Sequence, residues 1–361
     1  MARIYNFSSG PSMLPLPALE EAAQKLVDFE GSGMSLVEMS HRGKVYERVH
    51  NETIALFREI LTVPNEFQVL FLQGGATLQF AMIPMAFLRA GDAADFILTG
   101  TWAKKAHEDA SLVGRANIIW DGKTSKYTRM PQQKELSFTS GARYVHLCSN
   151  ETIGGVQWAS YPDTAGVPIV ADMSSDILSR QFPWNNIGLV FAGTQKNLAP
   201  AGMAIVVIRK DFIAAARKDL PAYLRYDLHA ENNSLYNTPP TFTVWATNLT
   251  LKWIKSMGGL EALERLNREK ATLLYDLIDA SGGYYKNPVE KASRSLMNVV
   301  WLLDDDGLED DFFKEAERQG LSGLKGHRSV GGCRASIYNA MPMEGVRALA
   351  DFMKEFMKKH G

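Results

Sequence analysis

The chain has 361 residues, 46% of them apolar and 22% charged, an ordinary balance for a globular protein. Lysine and arginine total 39 against 40 for aspartate and glutamate, so the chain lacks the excess basic charge that nucleic acid or an anionic membrane surface calls for. Two cysteines, Cys148 and Cys333, both in apolar strand-like runs, point to buried thiols in a reducing compartment, and no CxxC or HExxH spacing offers a metal site.

In chain order, MARIYNFSSGPSMLP carries no apolar core of a secretory signal, and no run approaches the ~18 apolar residues of a membrane span. The expected location is the cytoplasm, with no membrane partner. From about residue 66 to 210, short apolar runs alternate with helix-like stretches. Candidate strands are QVLFLQ (68–73), ADFILTG (94–100), NIIWD (117–121), RYVHLCS (143–149), PIVADMS (168–174), GLVFAG (188–193) and MAIVVIR (203–209). Several are apolar throughout, which suits strands covered on both faces of a mainly parallel sheet. ATLQFAMIPMAFLRAG predicts a helix after the first strand, ended by Gly91, with Pro84 kinking it or shifting its start.

Near residue 259 the texture changes. LEALERLNREKATLLYDLIDASGG sets Leu263, Leu266, Leu274, Leu277 and Ile278 on one helical face and charges on the other. After it come MNVVWLL (297–303), the acidic helix DDFFKEAERQG, CRASIY (333–338) and an amphipathic helix from about Glu344. The expected fold is α/β. A large domain over 16–260 carries a mainly parallel seven-stranded sheet flanked by helices. A smaller α+β domain is drawn from 1–15 and 261–361.

Four features carry chemistry. Gly74-Gly75-Ala76-Thr77, between strand and helix, offers free backbone N–H groups to a phosphate, although such turns are also common without one. Asp172 ends an apolar strand, where open α/β sheets place their ligands. Lys196, in FAGTQKNLAP, is the only charged residue between Arg180 and Arg209. Alone it reads first as a turn residue whose stem covers apolar surface, and against that stands a lysine made nucleophilic by a lowered pKa. His-Arg occurs twice beside glycine, in SHRG (40–43) and GHRSVGG (326–332), with Arg334 following; arginine suits bidentate grip on carboxylate and phosphate. One cofactor accounts for these features together. Pyridoxal phosphate has an aldehyde for a lysine, a ring nitrogen for an acid and a phosphate for a cup. Trp102 supplies an indole to stack on the ring, and the paired cations suggest an amino acid bearing a second anion.

At YNFSSGPSMLP, MSLVEMSHRGK, LFLQGGATLQF, TGTWAKKA, CSNETIGGVQW, VADMSSDILSR, FAGTQKNLAPAG, NSLYNTPPTF and GHRSVGGCRASIYNAMP the chain resembles the phosphoserine aminotransferases, class-V pyridoxal phosphate enzymes of fold type I. The stretches span nearly the whole length in the family's order. The resemblance implies that Lys196 is catalytic and holds the cofactor. It implies that Asp172 pairs with the ring nitrogen, Trp102 stacks on the ring, and Thr152 lies near the ring oxygen. Ala76, Thr77, Ser174 and Gln195 would surround the phosphate. Asn237 and Thr238 would reach the phosphate of a neighbouring subunit, which requires a homodimer. Arg334 would take the substrate α-carboxylate, His41, Arg42, His327 and Arg328 its distal anion, and Ser9 would lie near the substrate. Some members carry Arg where Thr77 stands, so any contact from Thr77 must come from its hydroxyl or backbone. The implied reaction exchanges an amino group between O-phospho-L-serine and 2-oxoglutarate in serine biosynthesis. Some members also serve the phosphohydroxythreonine step of vitamin B6 synthesis, which the sequence leaves open. Cysteine desulfurases share the Asp-to-Lys layout but need a loop cysteine. A dinucleotide-binding dehydrogenase would lack its glycine fingerprint here, and a non-catalytic binding protein would have no use for Lys196.

Overall fold

Seven apolar runs form strands: β1 (Phe67–Gln73), β2 (Ala93–Leu98), β3 (Arg115–Asp121), β4 (Val145–Cys148), β5 (Ile169–Asp172), β6 (Ile187–Gly193) and β7 (Met203–Arg209). The computed structural model describes residues 3–361; Met1 and Ala2, which open the expected smaller domain, lie outside the described residues. The strands make one sheet in the order β1-β7-β6-β5-β4-β2-β3. Only β7 runs against its neighbours; every other pairing is parallel. The unbroken apolar runs have a plain cause, because both faces are covered. Phe71, Val190, Ala192, Ile205 and Val207 enter one core, while their neighbours Leu72, Leu189, Phe191, Val206 and Ile208 enter the other. Each of these side chains except that of Ala192 stabilises the fold by about 1.5–3 kcal/mol on burial.

The helices Gly75–Phe87 and Thr101–Ser111 cover the second face through Phe80, Ile83, Ala103 and Ala106. The first of these runs through Pro84 and ends at Phe87, where the N–H of Leu88 still donates to the Pro84 carbonyl at 2.9 Å. Pro84 is buried in that core, and packing holds the turn that its missing N–H weakens. The helices Lys44–Ile60 and Thr241–Ser256 cover the first face through Phe57, Ile60, Val244 and Ile254.

A second sheet is small and antiparallel: β8 (Tyr285–Lys286), β9 (Asn298–Leu303) and β10 (Cys333–Ser336), with β9 central. The helices Glu309–Arg318 and Met343–His360 close a separate core around Trp301, Phe312, Leu349, Phe352 and Phe356. Tyr5–Asn6 pairs in parallel with Leu321–Ser322, and Phe7 enters the same core. The helix Gly259–Ala280 joins the two halves, with Leu260 and Leu263 in the core of the large sheet and Leu274 and Ile278 in that of the small one. Its charges do not all face outward, as the amphipathic reading expects. Lys270 is fully buried on the apolar face, because its Nζ donates to the carbonyls of Ile337, Tyr338 and Met341 at 3.0, 2.8 and 3.1 Å. Hydrogen-bonded acceptors make a buried ammonium tolerable where apolar packing alone would not.

The parallel strands deliver their carboxyl ends to one edge of the large sheet, together with the start of β7. Consecutive strands β1 and β2 lie far apart in that sheet, so the chain leaves opposite ways from its middle, the arrangement that opens a crevice at the carboxyl edge.

Candidate active site

The crevice holds a cavity of about 340 Å³, lined by Gly74 to Thr77 after β1, Trp102 after β2, Asp172 at the end of β5, Gln195 and Lys196 after β6, and Gly202 before β7. A larger cavity of about 450 Å³ lies between Arg180, the helix Gly259–Ala280 and Arg294, but its Lys291 and Arg294 are tied to Asp279 in ion pairs. The chemistry is concentrated at the sheet edge.

Lys196 is 7% exposed. Its Nζ donates to Thr152 Oγ1 at 2.6 Å and sits 5.4 Å from the centroid of the Trp102 indole. Burial pulls the amine below its ordinary value, and Arg334 adds to that; Asp172, Cys148 and Glu151 pull the other way. Asp172 is buried too, and burial lifts its carboxyl against the opposing charge of Lys196 and the hydroxyl and N–H of Ser174, the N–H donating at 2.9 Å. Burial works against each charge, and the opposite charge of the other partly offsets it. Ser174 Oγ in turn accepts from the N–H of Gly193 at 3.0 Å, which locks the turn between β6 and Lys196.

Opposite them, Gly74 and Gly75 take φ of +87° and +61°, a left-handed turn that only glycine adopts without strain. A side chain on Gly74 would also meet Leu78 at 2.7 Å. The turn leaves the first N–H groups of the helix Gly75–Phe87 without a side-chain cap and facing the cavity end, a cradle for an anion. A buried amine whose one hydrogen-bond partner is a hydroxyl, an acid facing it, an indole and an uncapped helix start fit a cofactor that has an aldehyde, a basic ring nitrogen and a phosphate.

Residues 4–349 match the family Aminotransferase class-V. The chain is 51% identical over 359 residues to a phosphoserine aminotransferase of Niallia circulans and 52% identical over 358 residues to one of Herpetosiphon aurantiacus, covering 99% of each chain in both cases. The solved phosphoserine aminotransferase of Bacillus circulans subsp. alkalophilus superimposes with a TM-score of 0.98 at 51% identity, over 99% of both chains. A pyridoxal phosphate-bound phosphoserine aminotransferase of Trichomonas vaginalis does so with 0.93 at 39% identity, over 98% of this chain and 100% of that one. The chain belongs to the class-V aminotransferases. It is a transaminase that depends on pyridoxal phosphate, and its seven-stranded sheet is the fold-type I sheet of that family.

In this aminotransferase the expected residues fall into three groups. Ala76, Thr77, Trp102, Asp172, Ser174, Gln195 and Lys196 share the cavity, and Thr152 joins them through its bond to Lys196. Arg334 and Ser9 form a second group beside it. Arg334 is 8% exposed, and its guanidinium donates to Ser9 Oγ at 2.8 Å and to the Thr152 carbonyl at 3.4 Å. His327 and Arg328 stand in the loop before Arg334; desolvation and the charges of Arg334, Arg328 and Lys105 hold the His327 imidazole below its usual range. That concentration of cations wants an anion. The third group lies apart. His41 and exposed Arg42 sit in the turn before the helix Lys44–Ile60, and neither lines the cavity. Asn237 and Thr238 rest against Gln73, with Asn237 Nδ2 donating to Gln73 Oε1 at 3.0 Å and Gln73 Nε2 donating to the Thr238 carbonyl at 2.6 Å.

One residue escapes the sequence reading. Glu151, wholly buried, accepts from the N–H groups of Trp102 and Ala103 at 3.1 and 3.0 Å and from Thr99 Oγ1 at 3.4 Å. Burial lifts it to about 7; the Ala103 and Trp102 bonds oppose that rise and the Asp172 charge adds to it. The available signal was Asn150-Glu151-Thr152, three polar residues directly after an apolar strand, at the same edge as Asp172.

Proposed function

We propose that the protein is a phosphoserine aminotransferase, catalysing the reversible exchange of an amino group between O-phospho-L-serine and 2-oxoglutarate to give 3-phosphooxypyruvate and L-glutamate in serine biosynthesis. The observation that carries the reading is the buried Lys196 amine, set between Asp172, Thr152 and the Trp102 indole, with cations on the side where a substrate would enter. Its identity of about half to phosphoserine aminotransferases over the full chain supports the choice of substrate.

Pyridoxal phosphate supplies an aldehyde that exchanges amino groups and a ring that withdraws electrons from the substrate Cα–H bond. Lys196 Nζ would hold that aldehyde and would serve as general base and acid for the substrate Cα proton. Desolvation, which pulls the amine below its ordinary value, favours the neutral form that this role needs. Asp172 would keep the ring nitrogen protonated. Thr152 orients Lys196 and would lie near the ring oxygen, and Trp102 would stack on the ring. The Gly74–Thr77 turn, Ser174 and Gln195 would hold the phosphate. Arg334, preset by Ser9 and the Thr152 carbonyl, binds the α-carboxylate.

The distal anion is a phosphate in one substrate and a carboxylate in the other. Arg42 and Arg328 give fixed charge to both, while His41 and His327 add a proton for the dianion. Because His41, Arg42, Asn237 and Thr238 lie away from their own chain's cavity, these residues serve the site of a second subunit, and the working unit is a homodimer. The smaller domain expected over 1–15 and 261–361 would close as a unit on the large domain over 16–260. The enzyme works in the cytoplasm; among the described residues no helix is long and apolar enough to cross a membrane.

The test is half-reaction spectroscopy. The purified enzyme carries a visible band that phosphoserine or glutamate removes and 2-oxoglutarate restores. A band that phosphoserine leaves unchanged while another amino acid bleaches it refutes the substrate, and a colourless protein that takes up no cofactor refutes the reading of the cavity.

A further inference from the structure

We propose that Glu151 is a positioning residue for Trp102: its carboxylate clamps the start of the helix Thr101–Ser111 and so fixes the indole over the Lys196 amine and over the ring that this amine holds. The inference rests on reading the cavity as a pyridoxal phosphate site. A helix start leaves four N–H groups without partners. Here Glu151 Oε2 takes that of Trp102 and Oε1 that of Ala103, and Oε1 also accepts the Thr99 hydroxyl. No residue of the helix's own first turn caps it; the cap comes from across the sheet edge, after β4.

Gly100 makes room for this clamp. Its backbone is extended, a conformation open to any residue, so conformational freedom is not the reason for glycine. An added Cβ would lie 2.6 Å from Glu151 Cδ and 2.7 Å from Oε2. Glycine is needed here because the carboxylate occupies the space of a side chain.

The clamp is also in register with the amine. Asn150–Glu151 is itself paired with Val156–Gln157, which fixes the segment. Thr152, the next residue, accepts from Lys196 Nζ at 2.6 Å. Two consecutive residues thus set both members of the Trp102–Lys196 pair, which stand 5.4 Å apart. An amide would not replace the carboxylate. Three donors converge on Glu151, and an amide offers one acceptor oxygen and turns its own N–H groups on the remaining donor.

The experiment is a double-mutant cycle on the holoenzyme with Glu151→Gln and Trp102→Ala. Cofactor retention is read by equilibrium dialysis against pyridoxal phosphate, and energy transfer from indole emission to the cofactor's visible band reports the ring contact. Glu151→Gln is expected to weaken retention roughly two- to tenfold, the scale of one aromatic contact, and to reduce the transfer. It is expected to have no further effect once Trp102 is alanine. Gly100→Ala, which drives a methyl into the carboxylate without changing any charge, should reproduce the loss and serves if Glu151→Gln does not fold. The proposal is overturned if Glu151→Gln weakens retention equally with and without Trp102, or if it lowers only the melting temperature. Wild-type protein that takes up no cofactor would instead sink the reading of the cavity, and this inference with it.

Discussion

Lys270 offers a test of the structure that does not depend on the cofactor. Burial pulls its amine from 10.5 to about 7. The unfolded chain then binds more protons than the native one between those values, so stability must rise with pH across that window; it is fully present above 10.5 and lost as pH falls through about 7. At about 1.4 kcal/mol per pH unit, with titration only half complete at the lower end, the rise from pH 7 to pH 9 is about 2 kcal/mol. Lys270→Met keeps the volume of the stem and removes the titration. At pH 7 the variant is expected to be less stable by about 1–3 kcal/mol, because the carbonyls of Ile337, Tyr338 and Met341 lose their donor inside the core. The gap should then widen by about 2 kcal/mol at pH 9. The assay is urea denaturation of both proteins at one protein concentration and one cofactor concentration, since assembly and ligand binding add to apparent stability by mass action. Parallel stability curves between pH 7 and 9 would refute the reasoning and show that the three carbonyls keep the ammonium charged. There is a functional consequence too. Lys270 pins the turn that carries Tyr338, whose hydroxyl donates to the Ser9 carbonyl at 2.8 Å, and Ser9 preorients Arg334. Lys270→Met should therefore raise KM for the amino acid more than it lowers kcat.

Further outcomes follow from the site. Lys196→Ala should abolish turnover and borohydride-fixed labelling while still binding the cofactor through the Gly74–Thr77 turn; transaminase activity near wild type would rule out the assignment. Asp172→Asn removes the charge that raises the Lys196 amine. It should shift the pH profile of any residual activity to lower pH and cut kcat by at least about 100-fold, the lower range of general acid–base effects; an unmoved profile in stopped-flow half-reactions would count against the pairing. Arg42→Ala should weaken phosphoserine more than glutamate, because a dianion gains more from a fixed charge than a monoanion does. Equal losses in the two half-reactions would contradict that division.

How much of this the sequence could show depended on whether a residue's role is local. Most of the strands were legible because a strand covered on both faces favours apolar residues throughout, although β2 and β4 still bury Asp95 and His146, and the edge strand β3 carries Arg115, Asn117 and Asp121. Lys196 and Asp172 stood out as charges beside apolar runs, although Lys196 taken alone also reads as an ordinary turn residue, and only the two together with the glycine turn pointed to a site. Lys270 was misread because a heptad-like pattern assigns a face by neighbours three and four residues away, whereas its partners are carbonyls some seventy residues on. Asn237 and Thr238 give the converse case. Nothing in the spacing of NSLYNTPPTF gives them a role, and the expectation for them came from the resemblance alone; the structure sets them against Gln73 and not among the residues that line the cavity.

Glu151 shows where such reading ends. As the middle of Asn-Glu-Thr it looks like a solvated turn. Its burial is decided by Trp102, Ala103 and Thr99, which arrive from another strand end, and by the missing side chain of Gly100. None of these residues is unusual alone. The signal is that a glycine with ordinary extended backbone faces a carboxylate from a different strand, and that pairing exists only once β2 and β4 lie side by side. In this sheet the groups nearest the cofactor's expected place are thus of two kinds. Those that would touch it, Lys196 and Asp172, announce themselves by breaking an apolar run. Glu151 and Gly100, which meet at the start of the helix that carries Trp102, become visible only when the strands are in register.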